Sequence, residues 1–383
     1  MSGFFSRNAG MRHLIGLLAL FSLLGGCATP PKAVEPADEA ISRGTEPNFS
    51  IQRVHFATDR AATGNPEPDK RFGGERGDIS YGYCDVSIPR DHRMGELEGP
   101  SIWRLEFRPD PNKHIVLASV ETQASADFFD SLKQRIQSSD GRKAFVFIHG
   151  FNVGFEEAAR RTAQMSYDLA FPGVPIFFSW PSRAQLMSYR NDEKNANWSV
   201  PHLKAFFADL AANLDADEIF VIAHSMGNQP TSRALAELFT ERPELVNRFK
   251  DIMLVAPDID ADVFKNEIAP PLLASGRHMT LYASSKDMAL KFSEMINGGQ
   301  RLGDADPSIV VLPGMDSIDA SNVKTDLIGH SYYADANSVL SDIFEVVRSA
   351  QPETVHSRIE EVITAFGRFW RFKIPAGNAP AAP

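Results

Sequence analysis

Cysteine, basic charge and long apolar runs are all scarce in this sequence. Only two cysteines, Cys27 and Cys84, occur in 383 residues, so the chain can form at most one internal disulfide. Lys and Arg number 39 against 49 Asp and Glu, a formal net charge of −10. Without a basic excess, a nucleic-acid binder is disfavoured. The apolar run LIGLLALFSLL is too short to span a bilayer comfortably. Near the acidic cluster Asp258, Asp260 and Asp262 no His or Cys has zinc spacing, and a complete calcium-loop pattern is missing. No metal or other cofactor is expected, and no internal repeat is found. What remains, 43% apolar and 23% charged, suits a globular enzyme with a full core. The length leaves room for one large domain or two ordinary ones.

The chain opens MSGFFSRNAGMRH, passes through that apolar run and reaches Gly25, Gly26 and Cys27. A basic start, an apolar core and small residues at a cleavage point form a secretory signal layout. LLGGC resembles the bacterial lipobox. That resemblance implies cleavage before Cys27, diacylglycerol on its thiol and an acylated N-terminus, an anchor far firmer than a single acyl chain. Ala28 in place of Asp implies, by the sorting rule of Gram-negative lipoproteins, an outer-membrane lipoprotein facing the periplasm. A plain signal peptide with an incidental cysteine is the alternative. Cys84 is then a lone thiol, read as a small strand residue. Residues 28–50 are rich in Pro, Glu and small side chains and read as a tether. The expected division is a signal peptide (1–26), a flexible tether (27–47), the main domain (48–350), and a C-terminal helical segment with a disordered tail (351–383).

Short apolar runs alternate with helical patterns through the main domain. Residues 54–58, 85–89 and 115–121 read as early strands, followed by AFVFIHG, PIFFSWPS, EIFVIAH, DIMLVAPD, HMTLYASS and SIVVLPG. Helical spacing appears in residues 126–137, FEEAARRTAQMSYDLAF, HLKAFFADLAANL, PTSRALAELFT and SVLSDIFEVVRSA. Continuous apolar strands between helices predict an α/β fold, a mostly parallel sheet covered on both faces. Sites in such sheets gather at the carboxyl ends of strands.

VIAHSMGNQ places Ser225 at such an end, with Ala223 two before it and Gly227 two after. On a sharp strand-to-helix turn those two positions crowd each other and must be small. Taken alone, the motif favours a nucleophile at Ser225 only slightly over a cap for the following helix. FIHGFN adds Gly150 after an earlier strand, so the Phe151 and Met226 amides become candidate oxyanion donors, worth roughly 3 kcal/mol each. Serine needs a base oriented by an acid, in the order Ser, Asp or Glu, His. Of the histidines downstream, His278 begins a strand at the wrong edge and His356 lies near the final helical segment. His330, in LIGHSYY, lies in a loop before the last long helix. For the acid, Asp287 directly follows the strand LYASS, and Asp260 after the preceding strand stays open as the alternative.

These residues together resemble the α/β-hydrolase superfamily. VHFATDR, RGDISYGYCDVSIPRDHRMGELEGPSIW, VFIHGFNVGFEEAARR, VIAHSMGNQ and LIGHSYY are similar to one bacterial esterase/lipase-like family of unknown function, over roughly residues 50 to 350. The resemblance implies a serine hydrolase with Ser225 as nucleophile, His330 as base, Asp287 as acid and Phe151 and Met226 as oxyanion amides. Residues 77–103 carry family likeness without assignable chemistry. Residues 179–199 read either as a loop over the site or as a surface excursion. The expected activity is cleavage of a carboxylic ester, small or lipid, through an acyl-enzyme. An acyltransferase with the same triad and a non-catalytic envelope scaffold are the rivals. Oligomeric state is not legible.

Overall fold

The computed structural model describes residues 47–101, 105–322, 359–365 and 367–373. Among them, eleven strands form one sheet: β1 (Phe49–Ala62), β2 (Phe72–Pro89), β3 (Val116–Gln123), β4 (Lys143–Ile148), β5 (Val174–Ser179), β6 (Glu218–His224), β7 (Phe249–Val255), β8 (His278–Ala283), β9 (Asp316–Asp319), β10 (Ile359–Thr364) and β11 (Gly367–Phe372). Their order is β10-β11-β9-β8-β7-β6-β4-β5-β1-β2-β3. From β1 through β5, β4, β6, β7 and β8 to β9 and β11 every pairing is parallel, and antiparallel strands close both edges.

The period of two along each strand explains the three layers. In β4, Ala144, Val146 and Ile148 pack into one core and Phe145 and Phe147 into another; β6 divides the same way, Ile219, Val221 and Ala223 against Phe220 and Ile222. Helices α1 (Ser125–Gln137), α2 (Phe155–Asp168), α3 (Tyr189–Trp198), α4 (Val200–Asn213), α5 (Asn228–Glu241) and α6 (Met288–Asn297) cover the two faces. α1 contributes Phe128, Leu132 and Ile136 to the first core, spaced four apart, while α2 contributes Phe155, Ala158, Ala159 and Ala163 to the second. The α/β architecture expected from the alternation is the one observed. Cys84 is fully buried in β2, where desolvation pushes its thiol well up.

Three expectations change. SIVVLPG is not a strand: Pro307 precedes it and Pro313 lies within it, Ile309 and Val310 are buried without joining the ladder, and the place beside β8 belongs to β9. The C-terminal segment expected to be helical holds the β10–β11 hairpin, so the sheet continues to Phe372, beyond residue 350. Phe369 faces one core while Trp370 and Phe372 meet the other, a strand period in GRFWRF. Residues 179–199 are no surface excursion, because 189–198 form α3 with Tyr189 and Asp192 buried. SVLSDIFEVVRSA lies outside the described residues.

The amino edge carries a pH-sensitive tie. His278 Nδ1 lies 2.6 Å from Asp251 and Nε2 2.9 Å from Asp316, joining β7, β8 and β9. The Asp251 and Asp316 hydrogen bonds raise His278 to about 10. A raised cation contributes in full below the free-histidine value and loses its contribution as pH climbs through the folded one. Wild type is therefore expected to lose about 1–2 kcal/mol of stability between pH 7 and 10, after solvent screening. Denaturation of His278→Gln across that range should show a flatter profile; an unchanged slope would refute the tie.

Candidate active site

Register sets the site. Ile148 of β4 pairs with Ala223 of β6, so Gly150 and Ser225, each two residues further on, lie level at the carboxyl edge. Ser225 has φ +50°, a left-handed conformation that a non-glycine residue rarely holds without a reason. The chain turns through Ser225–Gly227 directly into α5. A Cβ on Gly150 would stand 2.8 Å from the Ser225 Cβ, and one on Gly227 would stand 2.2 Å from the His149 carbonyl oxygen. The two loops therefore touch backbone to backbone, and only glycine permits it. Asn228 locks the turn by donating from Nδ2 to the Ser225 carbonyl at 3.0 Å and to the Val255 carbonyl at 3.2 Å. Among the described residues, no turn or loop carbonyl accepts from the Phe151 or the Met226 amide.

Behind the 149–153 loop lies a polar core that sequence reasoning missed. The His149 ring stacks on Trp180 at 5.0 Å, and Trp180 Nε1 donates to the His149 carbonyl at 2.7 Å. Arg60 is fully buried beside it, and burial brings its guanidinium down to about 10. Asp192 of α3 accepts from the Ser182 hydroxyl at 2.6 Å and the Arg183 amide at 2.9 Å, tying α3 to the 179–183 loop.

A second missed cluster stands on the other side. Asp258 follows β7, and its amide donates to the Ser225 carbonyl at 3.2 Å. Its Oδ1 accepts from Arg301 Nε at 2.7 Å and from the Ser293 hydroxyl at 2.6 Å, and its Oδ2 from the Tyr189 hydroxyl at 2.6 Å. Burial and the Asp258 carboxylate push the Tyr189 phenol upward. Tyr189 also meets the Phe151 ring edge-on at 5.3 Å. Asp258, with both carboxylate oxygens committed, is a structural ion pair.

The two candidate acids both cap helical turns. Asp287 ends the loop after β8 and accepts through Oδ1 from the Ala289 and Leu290 amides at 2.9 and 3.1 Å. Asp260 accepts through Oδ1 from the Asp262 and Val263 amides at 2.9 and 3.0 Å. Asp287 stands at the same sheet edge as Ser225, since β6, β7 and β8 are parallel. His330 and Cys27 lie outside the described residues. The site as described thus brings together Ser225, Met226, Gly150 and Phe151, with Asp287 and Asp260 after neighbouring strands. VHFATDR, followed through its Arg to the end of an apolar strand, is the sequence signal that leads to Arg60.

Residues 124–348, more than half of the chain, match the profile of a family described as alpha/beta hydrolase of unknown function (DUF900). The uncharacterized protein alr1448 of Nostoc sp. strain PCC 7120 is 24% identical over 256 residues, which cover 53% of this chain and 63% of that protein. The chain thus spans less than two thirds of that curated relative. Among solved structures, a protein titled as a cell surface hydrolase from Lactobacillus plantarum WCFS1 shares 11% identity at a TM-score of 0.33, covering 57% of this chain and 96% of that one. Aspergillus fumigatus lipase B shares 11% at a TM-score of 0.27, covering 59% and 55%. Likeness that remote carries no weight for function. The parallel sheet, the turn after β6 and the family match agree, and the chain belongs to the alpha/beta hydrolase family of unknown function.

Proposed function

We propose that this protein is a serine hydrolase that cleaves carboxylic esters through Ser225. The observation that carries the reading is the left-handed Ser225 on a strand-to-helix turn, with Gly150 of the neighbouring loop against its Cβ. A serine that merely caps a helix has extended backbone geometry and needs no such strain. Ser225 Oγ attacks the ester carbonyl while His330 takes its proton, and Asp287 orients the imidazole, with Asp260 as the alternative acid. The carbonyl oxygen gains charge and is met by the Phe151 and Met226 amides. The proton passes to the leaving alcohol, the acyl group stays on Ser225, and water activated by the same histidine releases the acid. The substrate is a small-molecule or lipid acyl ester. Cleavage and lipidation at Cys27 would hold the enzyme on the outer membrane, facing the periplasm.

Hydrolysis of p-nitrophenyl esters of increasing acyl length, compared between wild type and His330→Ala, tests this reading. Turnover with an acyl adduct mapped to Ser225, reduced by about 10⁵- to 10⁶-fold without His330, is the expected result. Undiminished turnover in His330→Ala would reject the assignment of the base. Product analysis with added alcohol separates hydrolysis from acyl transfer.

A further inference from the structure

The motif VHFATDR carries no role in the chemistry above, yet its Arg60 reaches the loop that does. Thr58 Oγ1 donates to the Ser179 carbonyl at 2.6 Å and accepts from the Arg60 amide at 3.2 Å. The buried Arg60 guanidinium makes five hydrogen bonds. Nε donates to Ser179 Oγ at 2.7 Å, Nη1 to the Gly73 and Ser182 carbonyls at 2.9 and 2.7 Å, and Nη2 to the Val153 carbonyl at 2.8 Å and His149 Nε2 at 3.3 Å. No carboxylate pairs with it among the described residues. Its fork is spent on loops 149–153 and 179–182, and such a planar donor set fixes geometry as well as charge.

His149 Nδ1 lies 2.9 Å from the Gly150 carbonyl, which can only accept, so Nδ1 carries the proton. Nε2 then accepts, from Arg60 Nη2 and from Ser179 Oγ at 3.1 Å. Ser179 accepts from Arg60 Nε and donates to His149, so every proton has one place. Burial and the Arg60 charge bring His149 down to about 3, which keeps the ring neutral. The peptide between Gly150 and Phe151 is planar, so holding the Gly150 carbonyl also sets the direction of the Phe151 N–H.

We propose that His149 is a positioning residue for the Phe151 oxyanion donor, and that Arg60 and Ser179 fix the tautomer it needs. The chain of contacts runs from the guanidinium through the imidazole to one carbonyl, and through that peptide plane to the amide facing the reaction. With the opposite tautomer, a lone pair would face the Gly150 oxygen, and the peptide would turn the Phe151 amide away. The inference rests on Ser225 acting as the nucleophile.

His149→Phe keeps a ring on Trp180 and removes both nitrogens; Ser179→Ala removes one of the two donors to Nε2. Each is compared with wild type by thermal melting, by kcat and KM on p-nitrophenyl butyrate, and by inhibition with an alkyl trifluoromethyl ketone. The ketone's adduct with serine places an oxyanion in the same hole. For His149→Phe the expected result is kcat down about 10- to 100-fold, KM within about twofold, and ketone affinity weakened in parallel with kcat. Ser179→Ala should move kcat and ketone affinity the same way by a smaller factor, and it decides the matter if His149→Phe does not fold. Folded variants with wild-type kcat and ketone affinity, whatever their melting temperatures, would overturn the positioning role and leave Ser225 as nucleophile. Wild type that neither turns over the ester nor binds the ketone would overturn the nucleophile reading, and the positioning role with it.

Discussion

Replacing Ser225 with alanine is expected to lower ester turnover by about 10⁵- to 10⁶-fold, the loss seen when a nucleophile that acts as part of a unit is removed. The fold should survive, because Ala fits the same space beside Gly150 and Gly227. Ser225→Gly separates chemistry from strain. Ser225 holds φ +50°, a conformation that costs a non-glycine residue about 1–3 kcal/mol and costs glycine little. The glycine variant should therefore be inactive and yet more stable than Ser225→Ala, by about 1 kcal/mol after glycine's greater unfolded-state entropy is subtracted. Denaturant midpoints of the three proteins measure this. A glycine variant less stable than the alanine variant would mean that the turn stores no strain.

The second large effect is expected at Asp258. Removing one partner of a buried ion pair leaves an unpaired charge in a dry site, at about 3–5 kcal/mol. Asp258 and Arg301 are each only 4% exposed, and the carboxylate also receives the Tyr189 and Ser293 hydroxyls. Asp258→Ala should lose that much stability, and so should Arg301→Ala. The double variant should lose clearly less than the sum of the two, since neither charge is then stranded. Because Asp258 holds the Tyr189 hydroxyl and Tyr189 touches Phe151, Asp258→Ala should also slow turnover. Strict additivity in the double variant would show that the pair is not coupled.

The parallel sheet was legible because AFVFI and EIFVIAH are apolar on both faces, and only a doubly covered sheet asks for that. The turn at Ser225 was legible because small residues two before and two after it answer a local steric demand. SIVVLPG misled because apolarity marks burial and does not by itself mark a ladder partner; Pro307 and Pro313 were the contrary sign. The C-terminal hairpin was hidden because GRFWRF is short and puts aromatic residues on both faces, so no polar–apolar alternation marks it as a strand. Arg60, His149 and the Asp258–Arg301 pair were hidden for another reason. Arg60 meets Ser179 and Arg301 meets Asp258 across separations of 119 and 43 residues, and no local pattern announces such a partnership. Only the end of VHFATDR, a charged pair closing an apolar strand at the site edge, gave a hint.

The most direct test of the central claim is reaction of the purified wild-type protein with a fluorophosphonate, with the modified residue mapped by mass spectrometry. Phosphonylation of Ser225 alone, absent in Ser225→Ala and His330→Ala, is the predicted result. A well-folded wild type that stays unlabelled, or that carries the label on another residue, would contradict it.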